Sequence, residues 1–396
     1  MFERITDSGL RRRIKQHVIG KEHIFFASVQ PGFEKTISRE FQSIGLNVNS
    51  EFIEGGVEFT GTLDDCFSAC ISSRTASRIM MRLASFRSHD FYELERAIRS
   101  FPWELYLNPE IPVNFNITSR KSMIYHTGKL QEIFEKELPA VFSFSKDSSA
   151  ENEGAARQTL FIRNFRDICT VSIDASGEFL YKRGMKQLTG AAPLRETLAA
   201  LILLEADIAR YDLLLDPMCG SGTFSIEAAL IFSGTLPNAE RFFPFMNWPS
   251  FKERNFLYLK KNLMEKQTPE YVQEKKIVTS DIDPEAVKIS EANIPDILKG
   301  IITPETADFF SLAPELLNGK KTLIVLNPPY GKRIRETDIY SFYKNIGIKL
   351  KSDFKNCGYA VIAPGVEAEQ ALALDFDRKI KFMNGGIMAA VLFKDA

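Results

Sequence analysis

The sequence predicts an α/β protein in two parts, in which small α+β modules precede a doubly wound, Rossmann-like sheet. From about residue 189 onward, helical patterns alternate with short apolar runs, an order that is typical of a parallel sheet. Before that point, strands and helices follow one another irregularly, which favours mixed α+β modules. The last two apolar runs flank Asn384-Gly385-Gly386, so the rear sheet, with seven strands, is expected to end in an antiparallel hairpin.

The composition is that of an ordinary globular protein, with 26% charged residues and a net charge of −1. No stretch approaches the roughly 18 consecutive apolar residues of a membrane helix, so we expect a cytoplasmic protein without a membrane partner. Five scattered cysteines indicate reduced thiols. All four histidines lie in the first third, which disfavours a histidine base or a histidine-bound metal at a rear site, and we expect no metal.

The front elements can be assigned from apolar periodicity and turn residues. Phe33, Ile37, Phe41 and Ile44 recur at helical spacing just after Pro31-Gly32. Residues 1–22 contain a run of arginines and are predicted to be a basic extension, and 145–156 is predicted to be a mobile loop. The other predicted elements are a strand at 23–29, a hairpin over 51–60, helices near 63–73, 90–100 and 128–138, and strands at 78–86, 113–117, 158–165 and 168–174.

The rear half contains short apolar runs that are predicted to be buried strands. They are Leu213–Asp216, Ile277–Asp281, Ile301–Thr306, Leu323–Leu326 and Tyr359–Ala363, followed by hairpin strands at Lys379–Phe382 and Met388–Phe393.

A glycine-rich loop, Asp-Pro-Met-Cys-Gly-Ser-Gly-Thr at 216–223, follows the first of these strands and opens a helix. Such a loop brings backbone N–H groups and a positive helix end to the carboxyl edge of the sheet, and Gly220 and Gly222 allow a ligand to approach closely. The spacing does not match the Gly-x-Gly-x-x-Gly fingerprint of dinucleotide enzymes or the phosphate-binding P-loop. A nicotinamide dehydrogenase is therefore disfavoured.

Acidic residues follow the next two predicted strands. Asp281 is placed to accept hydrogen bonds from ribose hydroxyls, with Asp283 as second choice and helix capping as its alternative role. Asp308 is placed to accept from an adenine amino group, and Phe309 to cover the adenine ring.

Asn327-Pro328-Pro329-Tyr330 follows the fourth predicted strand. The Asn327 side-chain oxygen and the Pro328 carbonyl can hold the two hydrogens of an exocyclic amine, and Tyr330 offers a surface for stacking a flipped base. The alternative is an ordinary turn after a buried strand. A cysteine-dependent cytosine-5 methyltransferase is disfavoured, because Asn327 stands where that chemistry needs Pro-Cys.

The loop at 216–223 resembles that of S-adenosylmethionine-dependent methyltransferases. Over residues 23–396 the chain is similar to the THUMP-domain guanine-2-N-methyltransferases that act on large-subunit (23S) ribosomal RNA. The similarity is carried by Phe26–Val29, Glu54–Phe59, Ser73–Arg78, His126–Gly128, Leu180–Gly184, Ala192–Ala200 and the insert Phe245–Pro249. The chain departs from the family pattern at Met185-Lys186 and at Met218, where phenylalanine is common.

The resemblance implies a class I methyltransferase domain at 191–396, behind a ferredoxin-like module at 23–70, a THUMP RNA-binding module at 71–175 and a linker at 176–190. It implies that Asn327, Pro328 and Tyr330 hold the guanine. The residues expected to bind S-adenosylmethionine are Asp216, Pro217, Met218, Gly220, Gly222, Asp281, Ile282, Asp308 and Phe309. The cationic residues expected to contact RNA are Arg74, Arg78, Lys332 and Arg333.

The sequence thus predicts an S-adenosylmethionine-dependent enzyme that methylates the amino group of a guanine in 23S ribosomal RNA, its expected partner. Two alternatives remain open. The first is an adenine-N6 methyltransferase acting on RNA or DNA, since the Asn-Pro-Pro-Tyr chemistry does not distinguish the two bases. The second is a non-catalytic RNA-binding or ribosome-assembly protein with a vestigial cofactor fold.

Overall fold

A computed structural model describes residues 7–49, 53–145, 157–184, 188, 194–266, 275–329 and 336–396. Within these ranges the chain forms two sheets of seven strands each. None of the helices in these ranges combines the length and apolar character that a membrane-spanning segment requires.

The front sheet is continuous across the predicted boundary between residues 70 and 71. Its strand order is β2-β3-β1-β4-β7-β6-β5. The front elements are α1 (Asp7–His17), β1 (His23–Ser28), α2 (Glu34–Ser43), β2 (Asn47–Val48), β3 (Gly56–Gly61), α3 (Leu63–Ser72), β4 (Arg78–Arg87), α4 (Phe91–Ser100), β5 (Val113–Arg120), α5 (Thr127–Glu137), β6 (Gln158–Phe165) and β7 (Ile168–Asp174). Because β4 pairs with both β1 and β7, it joins the two predicted modules into one sheet.

The two faces of the front sheet have opposite character. Alternate residues such as Phe25, Ile79 and Val171 are fully buried in the core, on the face that the front helices cover. On the other face, Thr118 and Arg120 of β5 are exposed, whereas Ser172 and Asp174 near the end of β7 are buried. We call this second surface the open face of the front sheet. Along β5 the period-two alternation is that of a strand packed on one side only.

The predicted basic extension includes a folded helix. Ile14 of α1 is buried, as is Val18 just after it, and the Arg13 guanidinium lies 2.6 Å from the Glu104 carboxylate. Residues 7–18 therefore pack on the front module.

The rear sheet has the doubly wound order that the sequence predicts. Its strand order is β10-β9-β8-β11-β12-β14-β13; the first five strands are parallel and β14 is antiparallel to both of its neighbours. The rear elements are α6 (Glu196–Glu205), β8 (Leu213–Asp216), α7 (Thr223–Phe232), α8 (Glu253–Glu265), β9 (Lys276–Asp281), α9 (Pro284–Asn293), β10 (Pro304–Thr306), β11 (Thr322–Leu326), α10 (Glu336–Ser352), β12 (Gly358–Pro364), α11 (Gly365–Leu372), β13 (Arg378–Asn384) and β14 (Ile387–Lys394). The winding direction reverses between β8 and β11, where ligands bind in open α/β sheets.

Aromatic packing joins the front and rear halves. Phe67 of α3 stacks on Phe245 with ring centres 4.1 Å apart, and Phe251 and Phe256 pack around the pair. The Asn238 amide donates to the carbonyls of Cys70 and Ser73. The insert that contains Phe245 therefore contributes to the interface with the front sheet's helices.

A buried charged cluster completes the joint. The Arg183 guanidinium lies 2.8 Å from the Glu227 carboxylate, and both side chains are at most 2% exposed. Arg183 also donates to the Arg74 carbonyl, and Arg74 in turn donates to the carbonyls of Leu230 and Thr235. We call Arg74, Arg183 and Glu227 the buried joint. It connects the loop before β4 to α7, the helix that follows the glycine-rich loop.

Candidate active site

A cavity of about 640 Å³ opens at the carboxyl edge of the rear sheet, a volume typical of small-molecule sites. Pro217 and Asn327, which line it, follow β8 and β11, and these two strands are the neighbours between which the winding direction reverses. The lining includes Leu194, Pro217, Met218, Cys219, Gly220, Ser221, Asp281, Ile282, Asp308, Phe310, Asn327, Pro329 and Phe342. Segments predicted separately from the sequence are thus brought to one site.

The glycine-rich loop owes its shape to two glycines with left-handed backbone. At Gly222, with φ of 78°, an added Cβ would also collide with the Ser290 hydroxyl of α9. At Gly220, with φ of 53°, the same position is open space, and the Gly220 N–H donates to Asp281 over 2.9 Å. Gly220 therefore leaves room in the cavity, whereas Gly222 allows close packing beneath it.

Asp216 supports the loop from below and does not line the cavity, contrary to the predicted contact with the cofactor. It is 1% exposed and accepts a hydrogen bond of 2.7 Å from the Ser225 hydroxyl. Burial raises the pKa of its carboxyl to about 7. Pro217 and Met218, just after it, do line the cavity as expected.

Asp281 and Ile282 line the cavity at the end of β9. The Asp281 carboxylate accepts the N–H groups of Gly220 and Asp283, and each oxygen retains a second lone pair for a ligand hydroxyl. The Ile282 side chain is 67% exposed, which leaves an apolar surface for a ligand ring. Asp283 caps α9 by accepting from the Glu285 N–H, which agrees with its alternative role.

The segment after β10 brings Asp308 and two adjacent phenylalanines to the cavity. Asp308 and Phe309 both line the cavity, and the Asp308 carboxylate accepts from the Phe310 N–H over 3.1 Å. Phe309 is only 1% exposed, and its ring packs on Phe354. The half-buried Phe310 lines the cavity together with Phe342, with ring centres 5.8 Å apart. Two adjacent phenylalanines follow Asp308, and the sequence alone does not show which of the two rings is more accessible from the cavity.

Lys349 of α10 was not predicted to belong to the site. Its ammonium group donates to the carbonyls of Phe310 and Leu312 over 3.0 and 2.7 Å and pairs with Asp353 over 2.6 Å. A single lysine in a helix carries no sequence signal for such a role. The contacts fix the segment that holds Asp308.

Asn327 follows β11 and lines the cavity with Pro329. Its side-chain oxygen is buried and has no hydrogen-bond partner among the described residues. A buried acceptor without a donor is uncommon, because leaving it unpaired costs about 1–3 kcal/mol. Pro328 is buried beside it, whereas Tyr330, Lys332 and Arg333 lie outside the described residues.

Two of the predicted RNA contacts have partners inside the protein. Arg74 belongs to the buried joint, and the Arg78 guanidinium binds the Asp174 carboxylate and the Gly177 carbonyl. The structure therefore argues against both as phosphate contacts. The sequence shows the two charges but not the acceptors, which come from distant segments.

The loop cysteine has no sign of reactivity. Burial raises the pKa of the Cys219 thiol, which disfavours the thiolate form that a nucleophile needs. Over the described ranges, His, Cys, Asp and Glu side chains do not converge in a group of three or more that could hold a metal ion.

Residues 183–391 match the model of UPF0020, the RMKL-like methyltransferase domain. The chain belongs to this family. A second model, the RlmL ferredoxin-like domain, matches residues 24–80 and so extends into β4, ten residues beyond the predicted boundary.

The RMKL-like chain is similar to two curated relatives named ribosomal RNA large subunit methyltransferase K/L. The protein from Cellvibrio japonicus is 31% identical over 93% of this chain and 51% of its own length. That from Syntrophotalea carbinolica is 30% identical over 93% of this chain and 53% of its own length. The chain thus spans about half the length of the curated relatives it matches. The structure of the methyltransferase SMU.472, complexed with SAH, superposes with a TM-score of 0.81 at 25% identity, covering 96% of this chain and 99% of that one.

Proposed function

We propose that this RMKL-like chain is an S-adenosylmethionine-dependent RNA methyltransferase that forms N2-methylguanosine in large-subunit ribosomal RNA. The observation that carries the proposal is the unpaired Asn327 oxygen on the wall of a cofactor-sized cavity. This oxygen supplies a hydrogen-bond acceptor for the exocyclic amino group of a base that enters the cavity.

The cavity residues fit S-adenosylmethionine by their chemistry. Asp281 retains acceptor capacity for ribose hydroxyls, and Ile282 and Phe310 offer apolar surface for an adenine ring. The open space over Gly220 leaves room for the amino acid portion. The binding of SAH by SMU.472 supports the same cofactor here. When bound, S-adenosylmethionine supplies an electrophilic methyl group.

The chain's own part in the reaction is to orient an amine that is a poor nucleophile. An exocyclic amine delocalises its lone pair into the base, so two acceptors on its hydrogens favour pyramidal nitrogen. The Asn327 side-chain oxygen and the Pro328 carbonyl supply them, and Pro328 and Pro329 limit rotation of the turn. Positioning and electrostatics then account for the rate, without a strong base.

Ribosomal RNA as the substrate is supported by the relatives. Both curated relatives carry a name that specifies large-subunit ribosomal RNA, and residues 24–80 match a ferredoxin-like domain named for RlmL. The choice of guanine rests on the resemblance described in the sequence analysis. With RNA as its partner, we propose that the enzyme acts in the cytoplasm, and that residues 71–175 serve as the THUMP module.

A methylation assay tests the proposal. The purified chain is incubated with labelled S-adenosylmethionine and either unmodified ribosomal RNA or plasmid DNA, and the products are digested for nucleoside mass spectrometry. We expect N2-methylguanosine from RNA alone. N6-methyladenosine as the only product would contradict the choice of base, and would support the adenine-N6 alternative.

Calorimetry separates the enzyme from a vestigial fold. We expect S-adenosylmethionine and S-adenosylhomocysteine both to bind the chain without RNA. Absence of binding would contradict the enzymatic proposal and favour an RNA-binding protein that has lost its cofactor.

A further inference from the structure

Arginine and phenylalanine side chains lie against one another on the open face of the front sheet. The Arg82 guanidinium lies 4.5 Å from the centre of the Phe26 ring, and Arg163 lies 4.8 Å from that of Phe165. Arg166, in the turn between β6 and β7, lies 5.2 Å from the same Phe165 ring. These distances are in the range of cation–π contacts. Arg163 and Arg166 are also exposed to solvent.

Strand register places two further arginines beside this group. Arg120 pairs with Phe165, which pairs with Ile168, which pairs with Arg87, so one row crosses β5, β6, β7 and β4. Both arginines at the ends of this row are exposed.

Two acids on this face already have partners, since Glu58 pairs with Arg82 and Asp174 with Arg78. Asp167, in the turn beside Arg166, lies 3.7 Å from the His89 ring. Among the described residues, Arg87, Arg120, Arg163 and Arg166 form no ion pair, so this part of the chain presents four positive charges without a bound carboxylate.

Stacked side chains continue from this face to the cavity. Arg78 lies 5.0 Å from the Phe161 ring and 4.8 Å from the Phe179 ring, and Phe179 stacks on Tyr181 at 5.5 Å. Arg195 lies 5.3 Å from Tyr181, and its neighbour Leu194 lines the cavity. We define the aromatic–arginine track as Phe165, Phe161, Arg78, Phe179, Tyr181 and Arg195.

Unpaired cations interleaved with accessible rings match a polyanion that carries planar groups. Single-stranded RNA has both features, since phosphates pair with arginine and unpaired bases stack on aromatic rings. A duplex offers its phosphates but not its base faces. Charge complementarity and stacking together thus favour an unpaired RNA segment over a duplex.

We propose that the open face of the front sheet binds an unpaired segment of the substrate RNA and that the track directs it to the cavity. This inference rests on the proposed RNA methyltransferase function. Arg87, Arg120, Arg163 and Arg166 contact phosphates, and the exposed ring of Phe179 stacks on a base. Arg78 holds Phe161 and Phe179 in place without contacting phosphate itself, because its Nη1 donates to Asp174 and Gly177 and its side chain is only 15% exposed.

The charge component is tested with the triple variant Arg120→Gln, Arg163→Gln, Arg166→Gln. The probe is a fluorescent oligouridine of about 16 nucleotides, and binding is followed by anisotropy over a range of salt concentrations. We expect affinity to fall about tenfold or more at low salt, and the slope of log affinity against log salt to flatten by about two, since each single-strand phosphate contact contributes about 0.7.

The control replaces two exposed cations near the start of α8, in the double variant Lys252→Gln, Arg254→Gln. We expect its affinity to stay within about twofold of the parent chain. Equal losses in both variants would overturn the inference, because they would show a nonspecific effect of net charge.

The stacking component is tested with Phe179→Leu, which keeps an apolar side chain but removes the ring. We expect about tenfold weaker binding of the single strand, with an unchanged salt slope. The matched control is Phe91→Leu, because Phe91 is similarly exposed (47% against 45%) but lies on α4, on the covered side of the sheet. A Phe179→Leu variant that binds the oligonucleotide like the parent chain would overturn the role of the track.

Two further readouts separate this inference from the proposed function. If the triple variant loses RNA affinity while the parent chain transfers no methyl group, the binding surface stands and the proposed function fails. If the parent chain methylates RNA and the triple variant does so with the same KM, the inference fails alone. Anionic phospholipid vesicles provide the last comparison: loss of vesicle binding with unchanged RNA binding would assign the face to a membrane surface instead.

Discussion

At the scale of single residues, Asn327 is the side chain on which the proposed chemistry most depends. Its buried oxygen lacks a partner in the described chain and lies on the cavity wall. We expect Asn327→Ala to lower kcat by about 100-fold or more, the range seen when one preorganised hydrogen-bonding group is removed. The affinity for S-adenosylmethionine, measured by calorimetry, should change less than twofold. Normal turnover by a variant that binds cofactor would refute the assigned role of the amide.

Asp216 gives a second residue-scale prediction, on stability against pH. Burial raises the pKa of its carboxyl from 3.8 to about 7 in the folded chain. Below about pH 4 both folded and unfolded states hold the proton. Between about pH 4 and pH 7 the carboxyl ionises in the unfolded state while the folded state keeps its proton, so the folded protein loses stability over this range, and the loss is complete above about pH 7.

We compare the free energy of unfolding of Asp216→Asn with that of the parent chain at pH 5 and at pH 8. The difference should shift in favour of the variant by about 1–3 kcal/mol from the lower to the higher pH, since one pKa unit corresponds to 1.36 kcal/mol. Urea denaturation at both pH values measures this. Glu315→Gln, at an exposed carboxyl, serves as control and should show little pH-dependent change. A gap between Asp216→Asn and the parent chain that is the same at both pH values would contradict the prediction.

Sequence reasoning found most of the cavity residues because strand ends are visible as apolar runs followed by polar residues. Gly220, Asp281, Asp308 and Asn327 all line one cavity, although their roles toward a ligand stay predictions. It did not find that Asp216 lies beneath the loop, because depth at a strand end depends on the neighbouring helix.

At the scale of elements, the segment that follows β10 is held by α10 through Lys349. That side chain donates to two backbone carbonyls and is mostly buried. We expect Lys349→Met to raise the dissociation constant for S-adenosylmethionine about tenfold, because Asp308 and Phe310 lose their support. Each hydrogen bond from a charged group contributes about 1.5–3 kcal/mol.

Lys351→Met is the matched control, since Lys351 is an exposed residue on the same helix, two residues further on. It should leave cofactor affinity unchanged in the same titration. If Lys349→Met binds cofactor as tightly as Lys351→Met does, Lys349 supports the fold and not the site.

The strands and helices were largely predictable because their periodicity is local. β6 and β7 agree with their predicted bounds, and the terminal hairpin forms as expected. β10 begins at Pro304 and not at Ile301, since 301–303 still belongs to the turn after a short 3-10 helix. α1 was not predicted, because it is polar and its one buried residue, Ile14, finds its partners only in the folded module.

At the scale of the whole molecule, the buried joint ties the front sheet to the rear domain. Arg183 and Glu227 are both fully buried, and removing one partner of such a pair typically costs about 3–5 kcal/mol because the other charge stays buried. We expect Arg183→Met to lower the free energy of unfolding by about that amount. Chemical denaturation followed by fluorescence of Trp103 and Trp248 reports on the front module and the interface insert.

The control for the joint is Arg39→Met. Arg39 of the front half pairs with Glu205 of the rear half, but the Arg39 side chain is 58% exposed. Because Arg39 is exposed and Glu205 keeps Arg378 and Thr36 as partners in this variant, we expect a loss of at most about 1 kcal/mol. A comparable loss in both variants would show that burial does not decide the strength of the joint.

The assembly of the two halves was the part that the sequence predicted least. The arginines of 74–78 were assigned to RNA because nothing local reveals that Glu227, Leu230 and Asp174 lie beside them. Likewise the division at residue 70 follows a change in local pattern, whereas β4 continues the same sheet. Contacts between segments far apart in sequence carry no periodic signal.

The unpaired oxygen of Asn327 also bears on how many methyl groups the proposed enzyme would add to one base. If it and the Pro328 carbonyl each hold one hydrogen of the guanine amine, the monomethylated product has a single hydrogen left for two acceptors. One of them loses its donor, which costs about 1–3 kcal/mol for a buried group. The product is then held less tightly than the substrate, so the geometry that activates the amine also promotes release after one transfer and disfavours the dimethylated base.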